Sequence, residues 1–302
     1  MTMTTEDGYP IGADHRGVVW DNHRWQRFAG RPGDIFVCTP PKCGTTWMQM
    51  IVATLLFQDG NLPAKLWDLA PWLDARFNPL DEVVANLTTQ THRRSVKTHT
   101  PAYGIPWYPD ASYIVVARAG LDACMSFYNH MSNMRPDHMK ALAMSAMDEG
   151  IDIGNMPALD DIHAYFAWWL ESRIWFDHLS SFWARRDEPN VIFVHYDAML
   201  ADLGREMRRV AAFLTIDVPE ERWPELTDRC TFASMKSRSA EISDFDEIFI
   251  GGADTFLFKG TNGRWRDVLT DEEIAAFKLR ANELLPAEAI AWLSNPTSEA
   301  AA

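Results

Sequence analysis

The 302-residue chain is short of cysteine, of positive charge and of long apolar runs, and each shortage removes a class of protein. Its four cysteines, Cys38, Cys43, Cys124 and Cys230, form no CxxC pair and no disulfide-like framework. They read as the reduced thiols of a cytosolic protein. No apolar run approaches the length of a membrane span. The start, Met1-Thr2-Met3-Thr4-Thr5-Glu6-Asp7, is polar and acidic and lacks a signal-peptide core. A cytoplasmic protein with no transmembrane segment is therefore expected. Lys and Arg total 28 against 42 Asp and Glu, for a formal net charge of -14. That balance argues against a broad nucleic-acid face, which needs excess cations to neutralise phosphates. It leaves room for a small anionic ligand, because a few cations and helix amides make a local positive pocket. The histidines form no HExxH and no zinc-like cluster with cysteine, so no catalytic metal is expected. No Pro, Gly and Ser linker or internal repeat divides the chain, which reads as a single domain over 1–302.

Hydrophobic residues, by contrast, make up 47% of the chain, and tryptophan occurs 13 times. Trp67, Trp72, Trp107, Trp168, Trp169 and Trp175 suit either a core or a bulky apolar acceptor site. Asp34-Ile35-Phe36-Val37-Cys38-Thr39 reads as a short buried strand. A helix beginning at Thr45 or Thr46 and running to Leu56 follows it. Ser95 to His99 and Ala111 to Ala117 read as further strands, the second followed by a helix from Leu121 or Asp122 through Asn129. Asn155-Met156-Pro157 breaks the chain before a long aromatic helix from about Ile162 to Trp183. Val191 to Val194 is another strand, Ala198 to Phe213 another amphipathic helix, and Phe245 to Phe258 a loop or lid. Thr270-Asp271-Glu272-Glu273 is a capping box for the last helix. Strands alternating with helices predict an α/β fold with a central, mostly parallel sheet flanked by helices.

In such a sheet, ligands bind at the carboxyl edge of the strands. Thr39-Pro40-Pro41-Lys42-Cys43-Gly44-Thr45-Thr46-Trp47 lies there, between a strand and a helix. Gly44 allows close backbone approach, the first helical turn offers free amides, Thr45 and Thr46 add hydroxyls, and Lys42 adds charge. Taken alone, the same residues also make a tight surface turn. The loop is no Walker A sequence, since Lys42 precedes Gly44, and the strand ending at Ala117 runs into Arg118 rather than a magnesium carboxylate. Arg118 and Ser126 are candidate phosphate ligands. His99, at another strand end, is a candidate general base for an acceptor hydroxyl. Lys42 would stabilise the leaving phosphate, and Lys97 the transferring group.

These segments, in chain order, resemble the cytosolic-type, nucleotide-dependent sulfotransferases. The first loop is similar to their 5'-phosphosulfate loop, Y-P-K-[SA]-G-T-[ST]-W. Lys97-Thr98-His99-Thr100-Pro101 resembles the K-[ST]-H-x-P segment that carries the catalytic histidine. Val116 to Tyr128 resembles the 3'-phosphate element, whose Arg and Ser match Arg118 and Ser126. Val194-His195-Tyr196-Asp197-Ala198-Met199 resembles the strand end whose tyrosine contacts the nucleotide. Cys230-Thr231-Phe232-Ala233-Ser234-Met235-Lys236 resembles the S-F-x-x-M-K segment near the adenine. Phe256-Leu257-Phe258-Lys259-Gly260-Thr261-Asn262-Gly263-Arg264-Trp265-Arg266 resembles the terminal R-K-G-x-x-G-x-W-K element. The resemblance implies a P-loop NTPase-like sulfotransferase fold and 3'-phosphoadenylyl sulfate as co-substrate. It implies adenosine 3',5'-bisphosphate as product, in-line transfer without a covalent intermediate, and Trp47 near the adenine. The nucleotide ligands it implies are Lys42, Cys43, Gly44, Thr45, Thr46, Trp47, Arg118, Ser126, Tyr196, Thr231, Phe232, Phe256, Phe258, Lys259 and Gly260.

The chain departs from this pattern in three places. Phe258 stands where the family has an arginine that helps hold the 3'-phosphate, so either donor binding weakens or Arg264 or Arg238 compensates. Cys43 replaces a small residue, as a filler or as a thiol activated by a helix N-terminus. The family's dimer segment would fall at Arg266 to Ala275 and survives only at Arg266 and Thr270, leaving monomer and homodimer both open. The acceptor is expected to be a small, hydrophobic alcohol, phenol or glycolipid. It would be set by Leu66 to Phe77, Pro101 to Trp107, Met131 to Met156 and the loop before Phe256. These include Trp72, Phe77, Tyr103, Trp107, Met144, Met147 and Phe249. The competing readings are a non-catalytic nucleotide-binding protein and a P-loop kinase-like enzyme.

Overall fold

A computed structural model describes residues 3–154 and 157–295. Its centre is a four-stranded sheet. Strands β1 (Ile35–Cys38), β2 (Ser95–Thr98), β3 (Ser112–Ala117) and β4 (Val191–His195) lie in the order β2-β1-β3-β4, and every pairing is parallel. Successive residues of these strands alternate between two cores. Phe36, Cys38, Tyr113, Val115 and Ala117 join one cluster, and Ile35, Val37, Ile114, Val116 and Val194 the other. Both faces are therefore covered, which explains why the strands read as short continuous apolar runs. Because β1 is flanked by the next two strands on opposite sides, the chain reverses its winding there. The crevice at the carboxyl ends of β1, β2 and β3 is the switch point where α/β sheets take ligands.

Helix α1 (Thr45–Leu56) follows β1, and helix α3 (Gly120–Ser132) follows β3. Between them α2 (Leu80–Thr89) forms, and α4 (Pro136–Asp148) follows α3; neither stands out in the periodicity. The aromatic stretch expected as one helix from Ile162 to Trp183 is two, α5 (Ile162–Ser172) and α6 (Ile174–Trp183). Arg173 separates them in the left-handed region, at φ 58. The helix expected from Ala198 to Phe213 is also divided, into α7 (Tyr196–Ala201) and α8 (Leu203–Phe213). Asp202 interrupts it, and its carboxylate caps α8 by accepting from the Arg205 amide. The stretch from Phe245 to Phe258 is no free loop. It holds α9 (Gly252–Phe256) and is pinned to the link between α3 and α4 by Ile250 N–H to Asn133 O, 2.8 Å, and Arg135 N–H to Ile248 O, 2.9 Å. The capping box at Thr270 and Glu273 opens α10 (Asp271–Leu284), but a further helix, α11 (Ala287–Ser294), comes after it. Of the breaker at 155–157, residues 155 and 156 lie outside the described residues. Among the described residues no helix is long and apolar enough to cross a membrane.

Candidate active site

The loop after β1 is bent by two left-handed residues, Lys42 at φ 66 and Gly44 at φ 103. At Lys42 that conformation costs about 1 kcal/mol. At Gly44 a Cβ would also lie 2.9 Å from the Tyr196 ring, so both backbone and space call for glycine. Gly44 is the N-cap of α1 and provides no side-chain cap, leaving the first amides of the helix without that partner. Thr39 and Thr45 lock the two ends of the loop through their hydroxyls, 2.5 Å apart.

Lys42, Lys97, Arg118, Lys259 and Arg264 all line one cavity of about 790 Å³ at this edge. None of them is ion-paired with a carboxylate among the described residues. Arg118 instead holds the later loop to the first: it donates to Thr261 O at 3.1 Å, to Asn262 Oδ1 at 2.9 Å and to Lys42 O at 3.3 Å. Its guanidinium also lies 4.3 Å from the Tyr196 ring centroid. Burial, then the charges of Arg118 and Arg264, lowers the Lys42 pKa to about 7. Burial, then Lys42, lowers that of Lys97 to about 7 as well. Lys97 rests over Trp72, 4.2 Å from its centroid, and Lys42 over Phe256 at 4.5 Å. Crowded, unpaired cations of this kind are the donor set an anionic, phosphate-like group requires.

His99 follows the last residue of β2. Its Nδ1 lies 2.7 Å from the Thr39 carbonyl, which can only accept. Nδ1 therefore carries the proton, and Nε2 presents its lone pair. Burial, then the charge of Lys97, pushes the imidazole well below its usual pKa, so it is neutral. The backbone on either side is anchored by Asp74, one oxygen of which accepts from Thr98 Oγ1 at 2.6 Å, Thr100 Oγ1 at 2.7 Å and Trp25 Nε1 at 3.1 Å. Neither Asp74 nor the cavity-lining His130 was evident in the sequence, since both come from segments without a chemical motif.

Of the residues read from the sequence, Lys42, Gly44, Thr45, Thr46, Trp47, Lys97, His99, Arg118, Ser126, Tyr196, Phe232, Phe256, Phe258, Lys259 and Gly260 meet at the cavity. Thr231 is not among the lining residues; its hydroxyl caps the helix Phe232–Ser237 by accepting from Ser234 N–H. Cys43 also lies outside the lining and is 0% exposed. Burial pushes its thiol up to about 12, the reverse of activation by a helix N-terminus, so Cys43 is a packing residue. Trp47 donates to Cys230 O at 2.7 Å and sets its ring edge-on to Tyr196. Phe258 is 39% exposed, with Lys259 and Arg264 5.1 and 5.4 Å from its ring centroid. Of the two arginines weighed as compensation, Arg238 is held by Glu241 and by Arg229 O, whereas Arg264 lines the cavity.

The other half of the cavity is formed by Trp20, Trp67, Trp72, Phe77, Met131, Met134, Ile248 and Phe249, with Asp68, Glu82, Asn86 and Glu247 among the polar residues. Trp72, Phe77 and Phe249, which the sequence reading assigns to the acceptor, line this cavity. Tyr103, Trp107, Met144 and Met147 are not among the lining residues. Trp107 stacks on Tyr113 in the core, 3.9 Å between centroids, while Met144 and Met147 are exposed.

Comparison with known proteins fits this geometry. The family model described as "Sulfotransferase domain" matches residues 32–286. A glycolipid sulfotransferase of Mycobacterium bovis (strain BCG / Pasteur 1173P2) is 34% identical, over 92% of this chain and 93% of its own. Human sulfotransferase 1E1 is 27% identical over 83% and 82%. Among solved structures, retinol dehydratase in a complex with retinol and PAP has a TM-score of 0.66 at 20% identity, covering 93% of this chain and 89% of that one. Mouse sulfotransferase SULT7A1 complexed with PAP has a TM-score of 0.62 at 19% identity, covering 88% and 89%. The matched span runs from the start of β1 to beyond the capped helix α10 and so takes in every cation of the cavity and His99; the chain belongs to the sulfotransferase family and is a sulfotransferase.

Proposed function

We propose that the enzyme moves the sulfuryl group of 3'-phosphoadenylyl sulfate to a hydroxyl of a glycolipid, with His99 as general base. The observation that carries this reading is the meeting, in one cavity, of five basic side chains that pair with no carboxylate among the described residues and a neutral histidine whose Nε2 has no hydrogen-bond partner among them. The donor is substrate, and the residues suit it. Lys42, the first amides of α1, Thr45 and Thr46 would take the 5'-phosphosulfate. Arg118, Ser126, Lys259 and Arg264 would take the 3'-phosphate, and Trp47, Tyr196 and Phe232 would surround the base. A few charge-assisted hydrogen bonds of about 1.5–3 kcal/mol each suffice to bind such a nucleotide tightly.

In the reaction the acceptor oxygen attacks sulfur, its proton passes to His99 Nε2, and the bond from sulfur to the bridging phosphate oxygen breaks. The electron pair stays on that oxygen, which Lys42 neutralises as it leaves. Lys97 balances charge on the sulfuryl oxygens. His99 becomes imidazolium and returns its proton to solvent after adenosine 3',5'-bisphosphate departs. The aromatic half of the cavity would hold the acceptor, and its polar rim suits a sugar headgroup; the mycobacterial relative is itself named a glycolipid sulfotransferase. The four cysteines are free and buried, which suits a single-domain protein of the cytoplasm. The test is transfer of labelled sulfate to a panel of glycolipids, steroids and phenols, with the fastest turnover expected on a glycolipid. Tight bisphosphate binding with no transfer to any acceptor would favour a non-catalytic nucleotide-binding protein.

A further inference from the structure

Another histidine of the same cavity, half-buried His130 on α3, has no part in the sulfuryl transfer. Its ring lies against Phe249 and Phe256, with centroids 4.9 and 5.9 Å away. Its Nδ1 is 3.4 Å from Lys42 Nζ. An ammonium has three donors and no acceptor, so against Lys42 in its charged form Nδ1 must be the bare nitrogen, and the imidazole proton then sits on Nε2. A bound phosphosulfate keeps Lys42 charged and still leaves it two N–H groups for the donor. Desolvation in the cavity wall, then the charges of Lys42 and Lys97, hold His130 neutral. His99 is anchored in the opposite sense, because its Nδ1 gives its proton to the Thr39 carbonyl. Two neutral imidazoles of opposite tautomer therefore line one cavity, and neither Nε2 has a hydrogen-bond partner among the described residues.

We propose that His130 is a specificity-determining residue that donates its Nε2–H to an oxygen adjacent to the hydroxyl being sulfated. His99 accepts from the reacting hydroxyl while His130 donates to its neighbour, so the site selects acceptors carrying vicinal oxygens, as on a sugar ring. This rests on the sulfate-transfer reading for its substrate side, but the tautomer pair needs only a charged Lys42 and no acceptor.

The test compares 1,2-octanediol with 1-octanol, which differ only in the neighbouring hydroxyl. The wild-type enzyme is expected to favour the diol by roughly tenfold in kcat/KM, the effect of one neutral hydrogen bond made in a site that the bound acceptor closes to water. In His130→Phe the ratio of the two alcohols should fall to near one. Any damage to Lys42 or to donor binding cancels in that ratio. His130→Gln, which keeps an N–H donor, should restore part of it. Long-range proton–nitrogen correlation spectra of protein labelled with 15N-histidine, recorded with adenosine 3',5'-bisphosphate and assigned through His130→Phe, should show His99 protonated on Nδ1 and His130 on Nε2. A diol preference that survives in His130→Phe, or a proton on His130 Nδ1, would overturn the proposal. The spectra need no turnover, so a failure to sulfate either alcohol would count against the sulfate-transfer reading while the tautomers still decide this one.

Discussion

The cation-lined and the aromatic parts of the cavity touch where Trp72 packs on Lys97 and His99, yet they come from different kinds of sequence. The cationic half is built from compact segments: Lys42 to Trp47, Arg118 and Tyr196 directly after β1, β3 and β4, and Phe258 to Arg264 after α9. The aromatic half is gathered from Trp20, Trp67, Trp72, Phe77, Met131, Met134 and Phe249, which are scattered along the chain and form no recognisable motif. A phosphate group is small, fixed in shape and always charged, so its ligands recur as short runs presented by a sheet edge. An apolar wall asks only for volume, and any large side chain that reaches it will serve.

The largest effect should fall on the boundary residue. His99→Asn is expected to lower the rate of labelled sulfate transfer by about 10²–10⁴-fold, with bisphosphate affinity changed by no more than about twofold. Equal losses in both would make His99 a structural part of the cationic half. Next comes the cationic half itself. Arg118→Ala should weaken bisphosphate binding by about 10–100-fold, the range for one charge-assisted hydrogen-bonding group, with a thermal-shift control because Arg118 also ties two loops together. Arg264→Ala should cost about tenfold in bisphosphate affinity and Arg238→Ala less than about twofold, by the same scale. Phe258→Arg should tighten it, and should do so less for adenosine 5'-phosphate than for the 3',5'-bisphosphate. On the aromatic side, Phe77→Ala and Phe249→Ala should raise the acceptor KM by about tenfold, from lost apolar contact, while bisphosphate affinity stays put. An equal loss of bisphosphate affinity would end the division into halves.

The smallest effect concerns pH. Lys42 and Lys97 have pKa values near 7 in the free enzyme, and a bound anion raises them. Above pH 7 the complex holds more protons than the free enzyme, so bisphosphate affinity should fall as pH rises. From pH 7 to 8 the loss should be about threefold or more, with proton uptake visible as a buffer-dependent heat of binding. Affinity that stays level, or rises with pH, would mean that both lysines are already charged without ligand.

The parallel sheet and the loop at Lys42 were legible because their signals are local. A strand buried on both faces is a short apolar run, and a phosphate loop is a glycine, a cation and hydroxyls in sequence. The division between α5 and α6 was not legible, since one left-handed residue, Arg173, breaks a helix without interrupting its apolar periodicity. The division at Asp202 was hidden in the same way, by a capping carboxylate inside an amphipathic pattern. Helix α2, which brings Glu82, Val83 and Asn86 to the cavity, announced itself by no motif.

From its sequence alone this protein was determined to be an α/β sulfotransferase-like chain with Lys42, His99 and Arg118 at sheet edges. The chemistry of an anion and a proton constrains residue type and local spacing, and both can be read in one dimension. Only the tertiary structure decided the burial of Cys43, the tautomer of His99, the contact of His130 with Lys42, the place of Thr231 outside the cavity lining and the presence there of Arg264 rather than Arg238. Burial and hydrogen-bond partners settle each of these, and the partners lie 60 residues away in sequence for His99 and Thr39 and 88 for Lys42 and His130.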